Sequence, residues 1–395
     1  MEKERIISRD FLLDTTISFF CVINYFALLI NIVSFSTSEF GASSAEAGLA
    51  AGVYVIGGLL SRILIGKYTE MFGRKRMLIL GNIIALVMSF AYFGVGSMEM
   101  LYAVRFMHGI AYGVTSTATS DIVAKLLPNS RRGEGLGYFY LNVTAASAIG
   151  PLLGLKLGAT GNYDLVFSVG VLMYSLALIC ALLIRVPEEK LNLEQIADAK
   201  SFKPGNLLQF SAIPLSIVCM VFYFGYSGVL SYIDSFSDVN GMVEAAAYFY
   251  IFISLGTLIS RLTTGKIFDR RGPNIIMIPG YIAFVIGMVL FATTTNETVF
   301  LASGLIIGFG ISIVYSICQT MVVNNSNPER YGVTTATFAA IVDLGSGMGP
   351  MILGTILPLL GFNGMYLTCA VLGVVSLVMY LVFVGTGRVK DGRPV

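Results

Sequence analysis

The sequence has no tryptophan, a single histidine (His108) and little charge, with Asp, Glu, Lys and Arg making up 12% of its 395 residues. Soluble domains carry roughly twice that charged fraction. Here 56% of the chain is hydrophobic and the mean hydropathy is +0.80, which excludes a soluble globule. The five cysteines (Cys21, Cys180, Cys219, Cys318 and Cys369) all fall inside apolar runs without paired spacing. They indicate neither a disulfide framework nor a metal site. A phosphate-binding loop, zinc-ligand spacing, a nucleophile elbow and a basic nucleic-acid patch are also missing. The sequence therefore calls for no cofactor, no nucleic-acid partner and no enzymatic chemistry. Glu2, Lys3, Glu4 and Arg5 precede an apolar run that lacks a small-residue cleavage site, so that run reads as a retained first span.

What the chain does have is long apolar stretches. A hydrocarbon core about 30 Å thick takes about 20 residues of helix. Runs bounded by charge or by Gly/Pro turns lie near 11–33, 46–66, 77–97, 100–122, 136–158 and 163–185. A second set lies near 212–234, 245–265, 274–295, 298–320, 332–357 and 363–385. Twelve spans use about 240 residues, which leaves short loops and no separate soluble domain. With both termini on the cytoplasmic side, inner segments hold 21 of the 25 Lys and Arg residues, all but Arg62, Arg105, Lys156 and Arg261. Outer segments carry acids such as Glu39, Glu99 and Glu297, a positive-inside pattern that predicts a multi-pass protein of the plasma or inner membrane. The polar stretch 186–211 reads as a cytoplasmic linker between halves at 1–185 and 212–395, with a short surface helix around Leu191, Leu193 and Ile196.

The two halves repeat each other. GGLLSRILIGKYTEMFGRKR from Gly57 returns as GTLISRLTTGKIFDRRGPN from Gly256. Gly57, Ser61, Arg62, Gly66, Lys67 and Gly73 recur as Gly256, Ser260, Arg261, Gly265, Lys266 and Gly272, and Glu70 recurs as Asp269. Gly109 and Gly308, and Gly150-Pro151 and Gly349-Pro350, keep the same offset of 199. A repeat this long fits duplication of a multi-span half. The expected fold is all-α, with twelve transmembrane helices in two pseudo-symmetric six-helix bundles.

These residues resemble the major facilitator superfamily over essentially the whole chain. Gly66 to Lys75 matches that family's loop 2–3 signature, G-x-x-x-D-x-x-G-R-K, with Glu70 in the acidic position. Leu101 to Gly109 resembles the span 4 motif of proton-coupled members, built around Arg105. Ala146-x-x-x-Gly150-Pro151-Leu152-Leu153-Gly154 resembles the span 5 motif of twelve-span drug/proton antiporters, with Ala146 in place of the first glycine. The proline pattern that some exporters carry in span 1 is missing from Ala27–Phe35. The resemblance implies two bundles around a cavity lined by spans 1, 4, 7 and 10. It also implies a cytoplasmic latch of Arg62, Glu70, Gly73, Arg74 and Asp121, with Arg261, Asp269 and Arg270 as its second-half counterpart.

Several residues are candidates for the chemistry of transport. A guanidinium inside a span costs about 3 kcal/mol or more to insert. Arg105 therefore either faces the interior, where it holds substrate or a proton-exchanging carboxylate, or snorkels to the outer headgroups. Asp343, midway through span 11, and Asp14, one turn into span 1, suit binding and release of a proton, or else are structural and interfacial acids. His108, one helical step from Arg105, is either a proton-transfer group or a hydrogen-bonded structural one. Tyr25, Phe26, Tyr138, Tyr223 and Tyr226 offer an aromatic cavity wall, although belts at the membrane interface use such residues equally. Gly150, Pro151 and Gly154 suit a bend and close packing of span 5, which seals the cavity against proton leak.

The expected function is proton-coupled efflux of a small amphiphilic or drug-like molecule by alternating access, in a monomer surrounded by lipid. A symporter or facilitator for a sugar or other metabolite, or an exporter of a metallophore or lipid, fits the same scaffold. A non-transporting membrane sensor would tolerate loss of every intramembrane charge.

Overall fold

The computed structural model describes residues 6–128, 132–186, 208–326 and 331–385. Side chains within these ranges are described except at 63–71, 132–134, 136–137, 262–263, 265–266, 269–270, 331–332 and 385. The expected linker and its surface helix fall mostly outside these ranges. In hydrocarbon every backbone N–H and C=O needs an internal partner, and a helix supplies one for each. The described residues accordingly form α-helices, two short 3-10 turns and no strand.

The first six helices are α1 (Arg9–Phe40), α2 (Ser44–Phe72), α3 (Arg74–Ala91), α4 (Met98–Leu126), α5 (Arg132–Gly158) and α6 (Tyr163–Leu183). They are followed by α7 (Ile213–Val239), α8 (Val243–Arg271), α9 (Asn274–Thr293) and α10 (Glu297–Asn324). The segment Tyr331–Gly385 is two helices meeting at Gly361, whose φ of 66° breaks the helical path; its arms are α11 (331–360) and α12 (362–385). Side chains close several N-termini. Ser97 accepts from Met100 N–H, Asn296 accepts from Val299 N–H, and Ser43 and Glu46 form a reciprocal capping box at the start of α2.

The chain forms two compact units. The first contains residues up to Asn31 and Val53–Ser201; the second contains Ile32–Gly52 and everything from Phe202. Helices α1 and α2 therefore each contribute to both. The core of the first unit joins α1, α3, α4 and α6 through Ile17, Cys21, Leu78, Ala111, Tyr174 and Ala177. In the second unit Phe236, Phe249, Phe291, Phe300 and Tyr366 stack with ring centroids 4.7–6.3 Å apart. Each such aromatic pair contributes about 0.5–1.5 kcal/mol beyond the area it buries. Large aliphatic side chains point outward instead on α3 (Ile83, Val87), α6 (Leu172, Ile179), α9 (Ile282, Ile286) and α12 (Val371, Val378), as a lipid-facing surface requires.

The duplication is visible within each unit. Among the described residues the six with positive φ are all glycines and fall into pairs 199 or 200 apart: Gly41 with Gly241, Gly73 with Gly272, and Gly161 with Gly361. Gly73 (φ 94°) opens α3 and Gly272 (φ 82°) closes α8, so the signature glycine supplies a backbone bend that other residues adopt only at a cost. The close helix crossings repeat too. A Cβ on Gly109 would collide with the Tyr54 carbonyl, and one on Gly308 with the Ile253 carbonyl. Gly57 meets Phe106 as Gly256 meets Leu305. Small residues at these crossings let backbones touch where lipid offers no hydrophobic drive for association.

Candidate functional site

Arg105, His108 and Tyr112 recur at the three- and four-residue spacing that puts side chains on one face of α4. Arg105 is 1% exposed, so it does not snorkel to a surface. Its guanidinium carbon lies 4.5 Å from the centroid of the Tyr54 ring on α2. A desolvated cation–π contact contributes about 2 kcal/mol, most of the roughly 3 kcal/mol cost of placing the charge at that depth. Arg105 also hydrogen-bonds the Tyr92 hydroxyl. That hydroxyl lies 3.3 Å from Nδ1 of His108. If Tyr92 accepts from Arg105, its own proton goes to His108 Nδ1, and the remaining imidazole proton sits on Nε2. The His108 ring packs edge-on to Tyr54 and Tyr174, with centroids 5.3 and 5.2 Å away. The sequence candidates Arg105 and His108 thus sit together in a closed box of tyrosines.

Tyrosine rings continue from that box to a half-buried wall. Tyr54 lies 5.7 Å from Tyr112 and 5.5 Å from Tyr25. Tyr25 and Tyr112 stack at 5.3 Å with planes 15° apart, and Phe26 meets Tyr25 edge-on at 5.0 Å. Arg62, a latch candidate, places its guanidinium 5.9 Å from the Tyr112 ring. In the second unit Tyr223 packs against Tyr226 at 5.9 Å and Tyr315 at 5.5 Å. Tyr138 is exposed on α5. Tyr54, Tyr92, Tyr112, Tyr174 and Tyr315 were not among the sequence candidates. For Tyr112 the helical spacing from Arg105 was an available signal.

Asp14 is fully buried near the N-terminal end of α1, and neither of its carboxylate oxygens has a hydrogen-bond partner among the described residues. It lies about 16 Å along α1 from Tyr25 at 1.5 Å per residue. One turn on, Ser18 donates to Asn142 Oδ1 at 3.4 Å. Asp343 is half-buried on α11 in the other unit. Of the latch candidates, Arg74 is buried at the start of α3, Asp121 is half-buried on α4 and Arg261 is exposed on α8. The side chains of Glu70, Asp269 and Arg270 lie outside the described residues.

The span 5 motif packs α5 on α1. A Cβ on Gly150 would lie 2.9 Å from the Ile23 carbonyl oxygen, and one on Gly154 would lie 2.8 Å from that of Ala27. Pro151 lies inside the same helix. In the second unit Gly349 meets Phe224 and Ser227 of α7 in the corresponding way.

The family model of the Major Facilitator Superfamily matches residues 15–350 and 276–394. The chain is 24% identical over 358 residues to an uncharacterized MFS-type transporter of Methanocaldococcus jannaschii, covering 89% of this chain and 92% of that protein. It is 22% identical over 362 residues to the staphylopine export protein of Staphylococcus aureus, covering 86% of this chain and 88% of the relative. Among solved structures, a bacterial homologue of the human lysosomal transporter Spinster aligns with a TM-score of 0.79 at 17% identity, over 100% of this chain and 99% of that one. That likeness concerns the fold. With the family match over nearly its whole length and a duplicated set of apolar helices, the chain belongs to the major facilitator superfamily and is a multi-pass membrane transporter of small molecules, not an enzyme.

Proposed function

We propose that this transporter exports a small, partly aromatic molecule from the cytoplasm in exchange for protons, by alternating access between halves at 1–185 and 212–395. The observation that carries the proposal is the pairing, in one unit, of a half-buried tyrosine wall (Tyr25, Phe26, Tyr112) with the buried carboxylate of Asp14, which has no hydrogen-bond partner among the described residues. Stacked rings recognise flat apolar or weakly cationic groups through their faces. A carboxylate lacking hydrogen bonds in a low-dielectric interior carries its charge at high cost, which suits a group that takes up and gives back a proton. Arg105 fixes Tyr54 behind this wall, and His108 with Tyr92 holds Arg105. Both termini face the cytoplasm of a cell membrane, and the monomer is the working unit.

Two relatives support efflux as the direction: the staphylopine export protein and multidrug resistance protein 1 of Bacillus subtilis, the latter 24% identical over 68% of each chain. The test is accumulation of ethidium in proteoliposomes under an imposed pH gradient. Gradient-driven accumulation in the wild type, lost in Asp14→Asn and weakened in Tyr112→Ala, is the expected result. Movement indifferent to the gradient overturns the proposal.

A further inference from the structure

Hydroxyl groups cluster where α1 and α7 meet in the second unit. Most are occupied by their own helices: Ser36 donates to the Ile32 carbonyl at 2.6 Å, Thr37 to Ser34 at 3.0 Å, Ser38 to Phe35 at 3.3 Å and Ser237 to Asp234 at 2.8 Å. Such back-bonding is the usual way serine and threonine satisfy themselves within a helix. Three serines depart from it. Ser34 turns its hydroxyl across to α7 and donates to the Asp234 carboxylate. Ser235 Oγ lies 3.5 Å from that same Ser34 hydroxyl. Ser231, one turn deeper on the Asp234 face of α7, is 1% exposed and its hydroxyl has no partner among the described residues.

Asp234 itself is half-buried, and no Lys or Arg pairs with it among the described residues. The charged group acting on it is Asp238, an exposed second acid one turn nearer the helix end. From α1 it is faced by the Ser34 hydroxyl. The frame around it is firm. The Tyr232 hydroxyl bridges the Ser44 carbonyl at 2.9 Å and the Pro350 carbonyl at 2.7 Å, clamping α7 to the start of α2 and to α11.

Oxygen ligands, a carboxylate without a base and an outlying acid on the approach are the chemistry of a hard cation site. We infer that Asp234, Ser34 and Ser235, with Ser231 beneath them, bind the small cation that drives transport. The site would fill from the face that carries Asp238. Proton and sodium ion are the two sources of this chemistry. The inference rests on the exchange reading above and adds a second acid to Asp14; a proton result extends that reading, and a sodium result replaces the proton in it. A proton on Asp234 weakens the Ser34 hydrogen bond and loosens α1 from α7 at this end, whereas a sodium ion keeps the two helices joined through ligands from both.

Full-length protein in detergent is unfolded thermally in acidic and alkaline buffers, each with sodium chloride or with choline chloride at equal ionic strength. A rise in the midpoint on adding sodium, absent in Asp234→Asn, identifies sodium. A rise on acidification that ignores sodium and shrinks in Asp234→Asn identifies the proton. Ser34→Ala separates the two: it removes an oxygen ligand and weakens an apparent sodium affinity about tenfold, but it also removes a hydrogen bond to the charged carboxylate and so strengthens proton binding. Both substitutions conserve shape, and wild-type elution on size exclusion checks that each variant is folded. A cation-dependent shift unchanged in Asp234→Asn overturns the inference, as does a wild type indifferent to both cations. In proteoliposomes, coupling intact in Asp234→Asn sinks this site alone, whereas a wild type without gradient dependence sinks the ion-exchange reading itself.

Discussion

Replacing Gly154 with alanine separates close helix packing from mere apolar filling. The added Cβ would sit 2.8 Å from the Ala27 carbonyl oxygen and 2.9 Å from Ala27 Cα, where ordinary contact begins at 3.4 Å. Both neighbours are backbone atoms, so neither can rotate away, and α5 must part from α1 by about half an ångström. Overpacking of this kind costs about 1–3 kcal/mol. Alanine recovers roughly 0.5–1 kcal/mol of helix propensity over glycine, leaving a net loss of about 0–2.5 kcal/mol. Gly94 is the control, since a Cβ there meets nothing within 4 Å. Gly94→Ala is therefore neutral or slightly stabilising. The assay is thermal unfolding of the purified variants, with passive proton leak measured in pyranine-loaded proteoliposomes. Gly154→Ala is expected to lower the midpoint and raise the leak. A Gly154→Ala midpoint at or above wild type with unchanged leak would refute the packing argument.

Further outcomes follow from the same geometry. Tyr54→Leu removes the ring under Arg105 and costs about 1–2 kcal/mol of cation–π stabilisation in thermal unfolding, while Tyr54→Phe keeps most of it. Gly73→Ala and Gly272→Ala place a side chain at positive φ with extended ψ (130° and 176°), and each is expected to cost about 1–3 kcal/mol, read as a lower unfolding midpoint. Tyr112→Ala weakens binding of aromatic dyes more than it lowers stability, since the ring is half-buried; equilibrium dye titration separates the two effects. Gly154→Leu copies Leu353, the residue at the matching place in the second half, but α1 offers no opening for it. It is expected to abolish folded protein, judged by size exclusion.

Much of the fold was legible because duplication leaves a fixed offset and membrane helices leave long apolar runs. Gly73 and Gly272 were visible as motif residues, and their positive φ gives the reason. The helix limits were less legible. The first apolar run ends near residue 33, yet α1 continues to Phe40, because Ser36, Thr37 and Ser38 satisfy their hydroxyls on the helix itself. Arg105 stood out as an intramembrane charge, but its enclosure did not, because Tyr54, Tyr92 and Tyr174 come from three other segments and share no spacing with it. Asp234 reads in the sequence as an interfacial acid near a helix end. Only its contact with Ser34, 200 residues away, marks it out.

Proton movement on substrate addition tests the account most directly. Proteoliposomes loaded with pyranine and held without an imposed gradient receive ethidium. The account predicts a lumenal pH change that tracks ethidium uptake, collapses with a protonophore and is absent in Asp14→Asn. Ethidium uptake with no pH change in the wild type, or an undiminished change in Asp14→Asn, contradicts it.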